Sequence, residues 1–284
     1  MILVTGGCGL IASNIPGDDL LLTDILPGCE EKLDVTDPAQ ADQAIRRHRP
    51  SAVVHCAAWI DLDQCEKDPV GCFRVNVVGS MNVLSACRAI GARMVYLSTQ
   101  LVFDGQKRTP YVEEDPVGPL QQYGQSHYSA EQYIRGYENH LIVRTSLCHG
   151  QKRGGERYGF IYWVLDSLRA GKTIDVVDGF WTTPVDARDL GKCLRVLIDR
   201  KATGLYHYGG AQYLSRYDYA VQAAERAGLD ASLIHSIGVE ELMKKWVARR
   251  PLFAGLDGGR LEREFGVAPS DALAAASRDR KEAP

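Results

Sequence analysis

The chain has 284 residues, 45% of them hydrophobic and 24% charged, with a formal net charge of −3. That length supports one large α/β domain or such a domain with a smaller partner, and the composition excludes a disordered or fibrous chain. The near-neutral balance supplies no general basic surface, so no nucleic-acid partner is expected.

Eight cysteines (Cys8, Cys29, Cys56, Cys65, Cys72, Cys87, Cys148, Cys193) form no C-x-x-C pair and no spacing with histidine that suits a metal. Reduced thiols and no metal are expected, with Cys8 and Cys148 as packing residues. Met1 runs straight into Ile2-Leu3-Val4 without a charged leader, and no later apolar run approaches membrane-spanning length. A cytoplasmic enzyme with no membrane partner is the expectation.

In chain order, Ile2-Leu3-Val4, Leu20-Leu21-Leu22, Ala52-Val53-Val54 and Met94-Val95-Tyr96-Leu97 are apolar runs of strand length. Amphipathic stretches separate them. Ala39 to His48 follows Asp37-Pro38, and Pro69 to Ile90 places Phe73, Val77, Val78, Met81, Leu84 and Ala86 at helical spacing. This rhythm predicts an α/β fold with a Rossmann-type, doubly wound parallel sheet. Farther on, Ser126 to Tyr137 predicts a helix, Leu141-Ile142-Val143 a strand, and Tyr158 to Ala170 a helix ending near Gly171. Residues 1–150 are expected to form a dinucleotide-binding domain completed by about residues 185–200. Residues 151–284 are expected to hold a smaller, mainly substrate-binding α/β region, built from Ile174 to Val177, Gly204 to Tyr208, a helix from Arg216 to Ala227, and Val239 to Phe265. No linker separates the halves, so they should share a cleft. The Ala-rich, charged stretch after Ser270 is expected to fray.

Directly after the first strand comes Thr5-Gly6-Gly7-Cys8-Gly9-Leu10-Ile11-Ala12, a G-x-x-G-x-x-A turn. Gly6 supplies the tight turn, Gly9 lets backbone approach a pyrophosphate, and Ala12 lets the helix pack closely, with free N–H groups facing the anion. Asp24 ends the second strand, where a carboxylate takes ribose hydroxyls, which favours NAD over NADP. Only Ser13 to Asp19, with Pro16-Gly17 inside, precede that strand, so the first helix is limited to one or two turns. Asp61, Asp63, Glu66 and Asp68 lack an EF-hand's glycine and closing glutamate and predict a solvated loop, as do Glu113-Glu114-Asp115. Arg249-Arg250 before Pro251 offer guanidinium forks suited to a substrate phosphate or diphosphate.

The stretch Tyr96-Leu97-Ser98-Thr99-Gln100-Leu101-Val102-Phe103-Asp104-Gly105, followed by Tyr123-Gly124-Gln125-Ser126-His127 and Ala130-Glu131, resembles the dTDP-4-dehydrorhamnose reductase family of extended short-chain dehydrogenases. Further matches are Leu33-Asp34-Val35-Thr36-Asp37, His55-Cys56-Ala57-Ala58, Asn76-Val77-Val78-Gly79, Arg144-Thr145-Ser146, Gly204-Leu205-Tyr206-His207 and Arg250-Pro251, so the likeness spans nearly the whole chain. It implies reduction of a C4 ketone on a nucleotide-linked 6-deoxysugar, with hydride from NADPH or NADH. Thr99 would hydrogen-bond the carbonyl and Tyr123 would donate the proton. Gly6, Cys8, Gly9, Leu10, Ile11, Asp24, Asp34, Val35, Cys56, Ala57, Ala58, Asn76, Tyr123 and His127 would line the cofactor. A homodimer is a further expectation.

The chain departs from the family at several points. His127 stands where Tyr-x-x-x-Lys has its lysine, the cation that lowers the tyrosine pKa. Gln100 and Leu101 replace an Asp-Tyr pair, and Leu147 replaces a tryptophan. With these losses Thr99, Gln100, Leu147, Trp181 and Arg250 are expected to frame an altered substrate site for a carbonyl compound. The alternatives are an enzyme of net non-redox chemistry (epimerase, lyase or cyclase), in which His127 acts as acid or base, and a silent nucleotide-binding homologue.

Overall fold

The computed structural model describes residues 1–274. Seven parallel strands form the central sheet: β1 (Ile2–Thr5), β2 (Leu20–Asp24), β3 (Glu31–Lys32), β4 (Ala52–His55), β5 (Arg93–Thr99), β6 (His140–Thr145) and β7 (Gly204–Tyr208), in the order β7-β6-β5-β4-β1-β2-β3. The order reverses beside β1, the crevice where doubly wound sheets bind ligands. Strand periodicity sends Ile2, Val4, Val54 and Val95 into one core, and Leu3, Val53, Met94 and Tyr96 into the other. All are buried, which is why these strands read as continuous apolar runs.

Helices α1 (Pro38–His48), α2 (Pro69–Ile90) and α3 (Gln122–Arg135) cover the second face, through Ile45, Val83, Leu84, Ala130 and Ile134. Asp37 caps α1, accepting hydrogen bonds from the Ala39 and Gln40 amides. Helix α2 is long and apolar enough to cross a membrane, yet it lies on the sheet with half of that window buried. Its expected face is only partly right. Val77, Leu84 and Ala86 are buried, but Phe73 and Met81 are exposed. A π turn over Arg74–Val78 adds a residue to the spiral, so positions before it do not share a face with those after it.

On the other face the first crossover contributes a single 3-10 turn, Ala12–Asn14, at the short end of the expected length. Helix α4 (Ala187–Asp199) fills the space, burying Leu190, Leu194 and Leu197. The two approach so closely that a Cβ on Gly191 would lie 1.9 Å from the Asn14 carbonyl oxygen. Helix α4 then feeds Gly204–Tyr208 back into the sheet beside β6. That strand, expected in the smaller region, is therefore the sheet's edge, because a right-handed crossover returns it there. The smaller region pairs Ile174–Asp178 with Ile234–Gly238 and packs the helices Phe160–Arg169 and Arg216–Ala227 around a core of their own. Past Ser270, Ala272 and Leu273 are buried in that core rather than frayed, and the remainder of the stretch lies outside the described residues.

The aspartates read as a solvated loop have structural partners. Asp61 caps a short helix at Leu62–Lys67, Asp68 caps α2, and Glu66 accepts the Gln122 amide at the start of α3. Glu113, also expected at the surface, is half-buried and accepts the His207 amide.

Among the described residues, one ion pair lies wholly inside the protein. Arg144 on β6 donates from Nε and Nη2 to Glu131 on α3 at 2.8 and 2.6 Å, and the Ser98 hydroxyl on β5 donates to the same carboxylate at 2.6 Å. Neither charged side chain is exposed. Breaking such a pair leaves an uncompensated buried charge. Arg144→Met is expected to cost about 3–5 kcal/mol in urea unfolding, and the double change with Glu131→Leu to recover much of it.

Candidate active site

A cavity of about 850 Å³ opens between the carboxyl ends of β1, β4 and β5 and the smaller region. Its first wall is the phosphate turn. Gly6 has φ +68°, and a Cβ there would lie 2.7 Å from the Ala57 nitrogen, so only glycine brings the turn against Cys56 and Ala57. Gly9, Leu10 and Ile11 line this wall, and Asp34, Val35 and Ala58 continue it. Asp24 also faces the cavity, and its carboxylate accepts the Cys8 and Leu26 amides, both at 3.0 Å. Cys8, expected to be a packing residue, lies half-exposed on the wall with its sulfur 2.7 Å from that of Cys29. Asn76 is not on the wall. It is buried, exchanging hydrogen bonds with the Trp59 backbone and donating to Ser126, which braces the first turns of α3.

The second wall carries Thr99, Tyr123 and His127. Thr99 ends β5, while Tyr123 and His127 are one turn apart on α3, whose start is fixed by Gln121 accepting the Gly124 amide. The Tyr123 and His127 rings meet edge to face at 4.6 Å. Burial pushes the Tyr123 phenol above its ordinary value, opposed by the hydrogen bond from Thr99. Burial lowers the His127 imidazole to about 3, so it is neutral near pH 7 and supplies no cation to the phenol. Its Nδ1 meets the Tyr96 hydroxyl at 2.9 Å, while its Nε2 is buried without a protein partner among the described residues. Behind it, the Ser80 hydroxyl donates to the Asn76 carbonyl, so His55 Nε2 is the donor to Ser80.

The third wall gathers Gln100, Leu147, Trp181 and Arg250. The Gln100 carbonyl oxygen accepts from Ser146 and Thr182 at 2.5 and 2.9 Å, leaving its NH₂ as the free end. Arg250 donates to Asp63 at 3.0 Å and lies over the Trp246 ring. Arg216, on the first turn of its helix, reaches the same cavity over Phe160. Its side chain has no carboxylate partner among the described residues, and burial with the nearby Arg250 charge lowers its pKa to about 10.

Residues 1–278 match the family described as RmlD substrate binding domain. The chain belongs to this family. It is an oxidoreductase of the short-chain dehydrogenase/reductase type. Among relatives, a dTDP-4-keto-6-deoxy-D-glucose reductase of Streptomyces niveus is 30% identical over 277 residues, 94% of this chain and 91% of the relative. A dTDP-4-dehydrorhamnose reductase of Mycobacterium tuberculosis is 29% identical over 244 residues, 83% and 78% of the two chains. Among solved structures, dTDP-4-dehydrorhamnose reductase of Bacillus anthracis in complex with NADP superposes with a TM-score of 0.88 at 25% identity, covering 99% and 98%. The Clostridium acetobutylicum reductase gives 0.87 at 26%, covering 98% and 97%.

Within this member of the RmlD substrate binding domain family, the sequence missed Arg216, Trp246 and Phe180. Arg216 follows the cap Ser215 and resembles any first-turn residue, and nothing local marks Trp246 or Phe180 as cavity residues. His55, His127 and His207 are all buried, with pKa lowered to about 4, about 3 and about 3 by desolvation. The unfolded chain therefore binds up to three more protons than the folded one below the ordinary histidine pKa. Stability is present above about pH 6.5 and is lost as pH falls, at up to about 4 kcal/mol per pH unit between about pH 6 and pH 4. Denaturant midpoints measured across that window should show this slope, and His127→Gln should reduce it by about a third.

Proposed function

We propose that this chain reduces the 4-keto group of a nucleotide-linked deoxysugar with a nicotinamide dinucleotide, NAD in preference to NADP. The observation that carries this reading is the convergence of Tyr123, Thr99 and His127 on one cavity with a phosphate turn that only glycine can form. These features suit the dinucleotide. Gly6, Gly9, Leu10 and Ile11 would hold its pyrophosphate, Asp24 the adenosine ribose and His127 the nicotinamide ribose. When bound, the group supplies the hydride.

The chain's own residues supply position and the proton. Thr99 Oγ1 accepts the Leu101 amide at 3.2 Å, which leaves its hydrogen free for the substrate carbonyl or the Tyr123 oxygen. Tyr123 gives its proton to the developing alkoxide, a stronger base than even a buried phenolate, and the Thr99 hydroxyl steadies the phenolate left behind. Tyr96 acts through His127. Burial and the nearby Glu131 keep its phenol protonated, and its hydrogen goes to His127 Nδ1, so the imidazole proton sits on Nε2, a buried donor without a protein partner among the described residues. On the substrate side, Arg216 is a cation with an unfilled demand for an anion, and with Arg250 it suits the diphosphate of a nucleotide sugar. The free NH₂ of Gln100, where the family has a carboxylate, favours a sugar that offers an acceptor.

Oxidation of NADH, followed by absorbance with nucleotide-linked 4-keto sugars, tests the reading. Tyr123→Phe should lower kcat by roughly 10²–10⁴. With His127 lowered to about 3 and the Tyr123 phenol raised, the acid stays protonated and its neighbour neutral, so reductive kcat/KM should be flat from about pH 5 to pH 9. His127→Lys should introduce an alkaline fall by making the phenol more acidic. Product formation without net absorbance change, or cofactor binding without turnover, would overturn the reductase.

The Asp24 carboxylate, held by two amides, repels a 2′-phosphate. kcat/KM should favour NADH over NADPH by at least about tenfold, and Asp24→Ser should narrow that ratio. An unchanged ratio would remove Asp24 from cofactor choice.

A further inference from the structure

We propose that Cys8 and Cys29 form a reversible dithiol–disulfide site on the adenosine wall of the cavity, and that bridging and dinucleotide binding oppose one another. The bridge itself is independent of the activity proposed above, while its coupling to the dinucleotide rests on that reading.

The two cysteines belong to different loops. Cys8 is at the crown of the phosphate turn, and Cys29 follows Gly28, whose φ of +104° turns the loop after β2 back toward that crown. The sulfurs stand 2.7 Å apart, inside the contact distance of two unbonded sulfur atoms and about 0.7 Å longer than a disulfide bond. The Cys8 thiol also reaches the Pro27 carbonyl at 3.6 Å, so the Cys29 thiol is the donor to Cys8. Both residues are half-exposed, within reach of a soluble oxidant. Cys65 and Cys72 also interact, but both are buried.

The reaction balances with glutathione disulfide as oxidant. The Cys8 thiolate attacks it, forming a mixed disulfide and releasing one glutathione thiolate. The Cys29 sulfur then displaces the second glutathione, giving up its proton. Two protein thiols lose two hydrogens and one glutathione disulfide becomes two glutathiones. Cys8 is the first attacker because it lines the open cavity and Cys29 does not, while burial raises the Cys29 thiol and keeps it protonated until the second step.

The location gives the bridge its consequence. The Cys8 amide holds Asp24, and Cys8, Asp24, Ile25 and Leu26 all face the cavity. A bridge would fasten the phosphate turn to the loop carrying Ile25 and Leu26, the wall that must accommodate the adenosine half. An occupant of that wall would in turn shield Cys8. By linkage, the factor by which the dinucleotide disfavours bridging equals the factor by which bridging weakens the dinucleotide.

The test equilibrates the full chain in glutathione buffers, blocks free thiols, maps disulfides by peptide mass, and titrates NADH calorimetrically before and after oxidation. A Cys8–Cys29 bridge is expected, with NADH binding about fivefold or more weaker when bridged and restored by dithiothreitol. Saturating NADH should shift bridging to more oxidising buffers. Cys29→Ser should form no bridge, and peptide mass should find its Cys8 stopped at the glutathione mixed disulfide. Free Cys8 and Cys29 thiols in the most oxidising buffer would overturn the site. So would the alternative in which Cys8, Asp24 and Cys29 take a cadmium ion with thiolate charge-transfer absorbance while no bridge forms. A bridge with unchanged NADH affinity would overturn the coupling. Failure of both forms to bind NADH would instead sink the cofactor reading, with the mapped bridge still standing.

Discussion

The cavity wall that carries Thr99, Tyr123 and His127 depends on the buried pair between Arg144 and Glu131. It joins α3 to β6 by two parallel hydrogen bonds, and Ser98 adds β5 to the same carboxylate. Thr99 is the next residue along β5, and His127 and Tyr123 lie one and two turns before Glu131 on α3. Fixing the carboxylate therefore ties the end of β5 that carries Thr99 to the helix that carries Tyr123 and His127. The desolvation cost is offset by further partners: the Phe103 ring lies under the guanidinium at 5.1 Å, and His207 on β7 approaches Nη1 at 3.4 Å. Four elements meet at one charge pair, and each carries either a cavity residue or its direct support.

Replacement of a lysine by His127 changes the electrostatics of that wall without leaving it disordered. A buried imidazole cannot hold a proton against desolvation, so near pH 7 this position presents a neutral group rather than a cation. The Tyr96 hydroxyl meets its Nδ1 at 2.9 Å. Behind it, His55 is held between Thr5 and Ser80 by bonds of 2.7 and 3.0 Å, linking the catalytic wall to the strand that carries the phosphate turn. The substrate side compensates in a different way, with Gln100 tied to Ser146 and Thr182 and with cationic Arg216 brought in from the smaller region.

The shortened first crossover explains why the two regions interlock. With only Ala12–Asn14 against the sheet, α4 packs directly on that turn, and the chain then returns to the central sheet as β7. The smaller region is thus an excursion from the large one, entered after β6 and crossed again after β7. The cleft between them forms as a consequence.

The sequence by itself determined the strand set, the glycine turn and Asp24 at the end of β2, and it singled out Thr99, Tyr123 and His127, which line one cavity, because each rests on local spacing: period two in a strand, the glycine turn after it, or one turn of a helix. It also determined the family, through short matches spread along nearly the whole chain. What only the tertiary structure decided involves residues far apart in the chain. A π turn put Phe73 on a different face from Leu84 and Ala86, Asn76 turned inward to brace α3, Gly204–Tyr208 joined the central sheet, and Asp63 claimed Arg250 across 187 positions. Cys8 and Cys29, read as isolated thiols, came into contact through a glycine turn in the intervening loop. Spacing fixes which neighbours share a face, but the partner of a buried charge or thiol is fixed by how whole elements pack, and no window of sequence contains both.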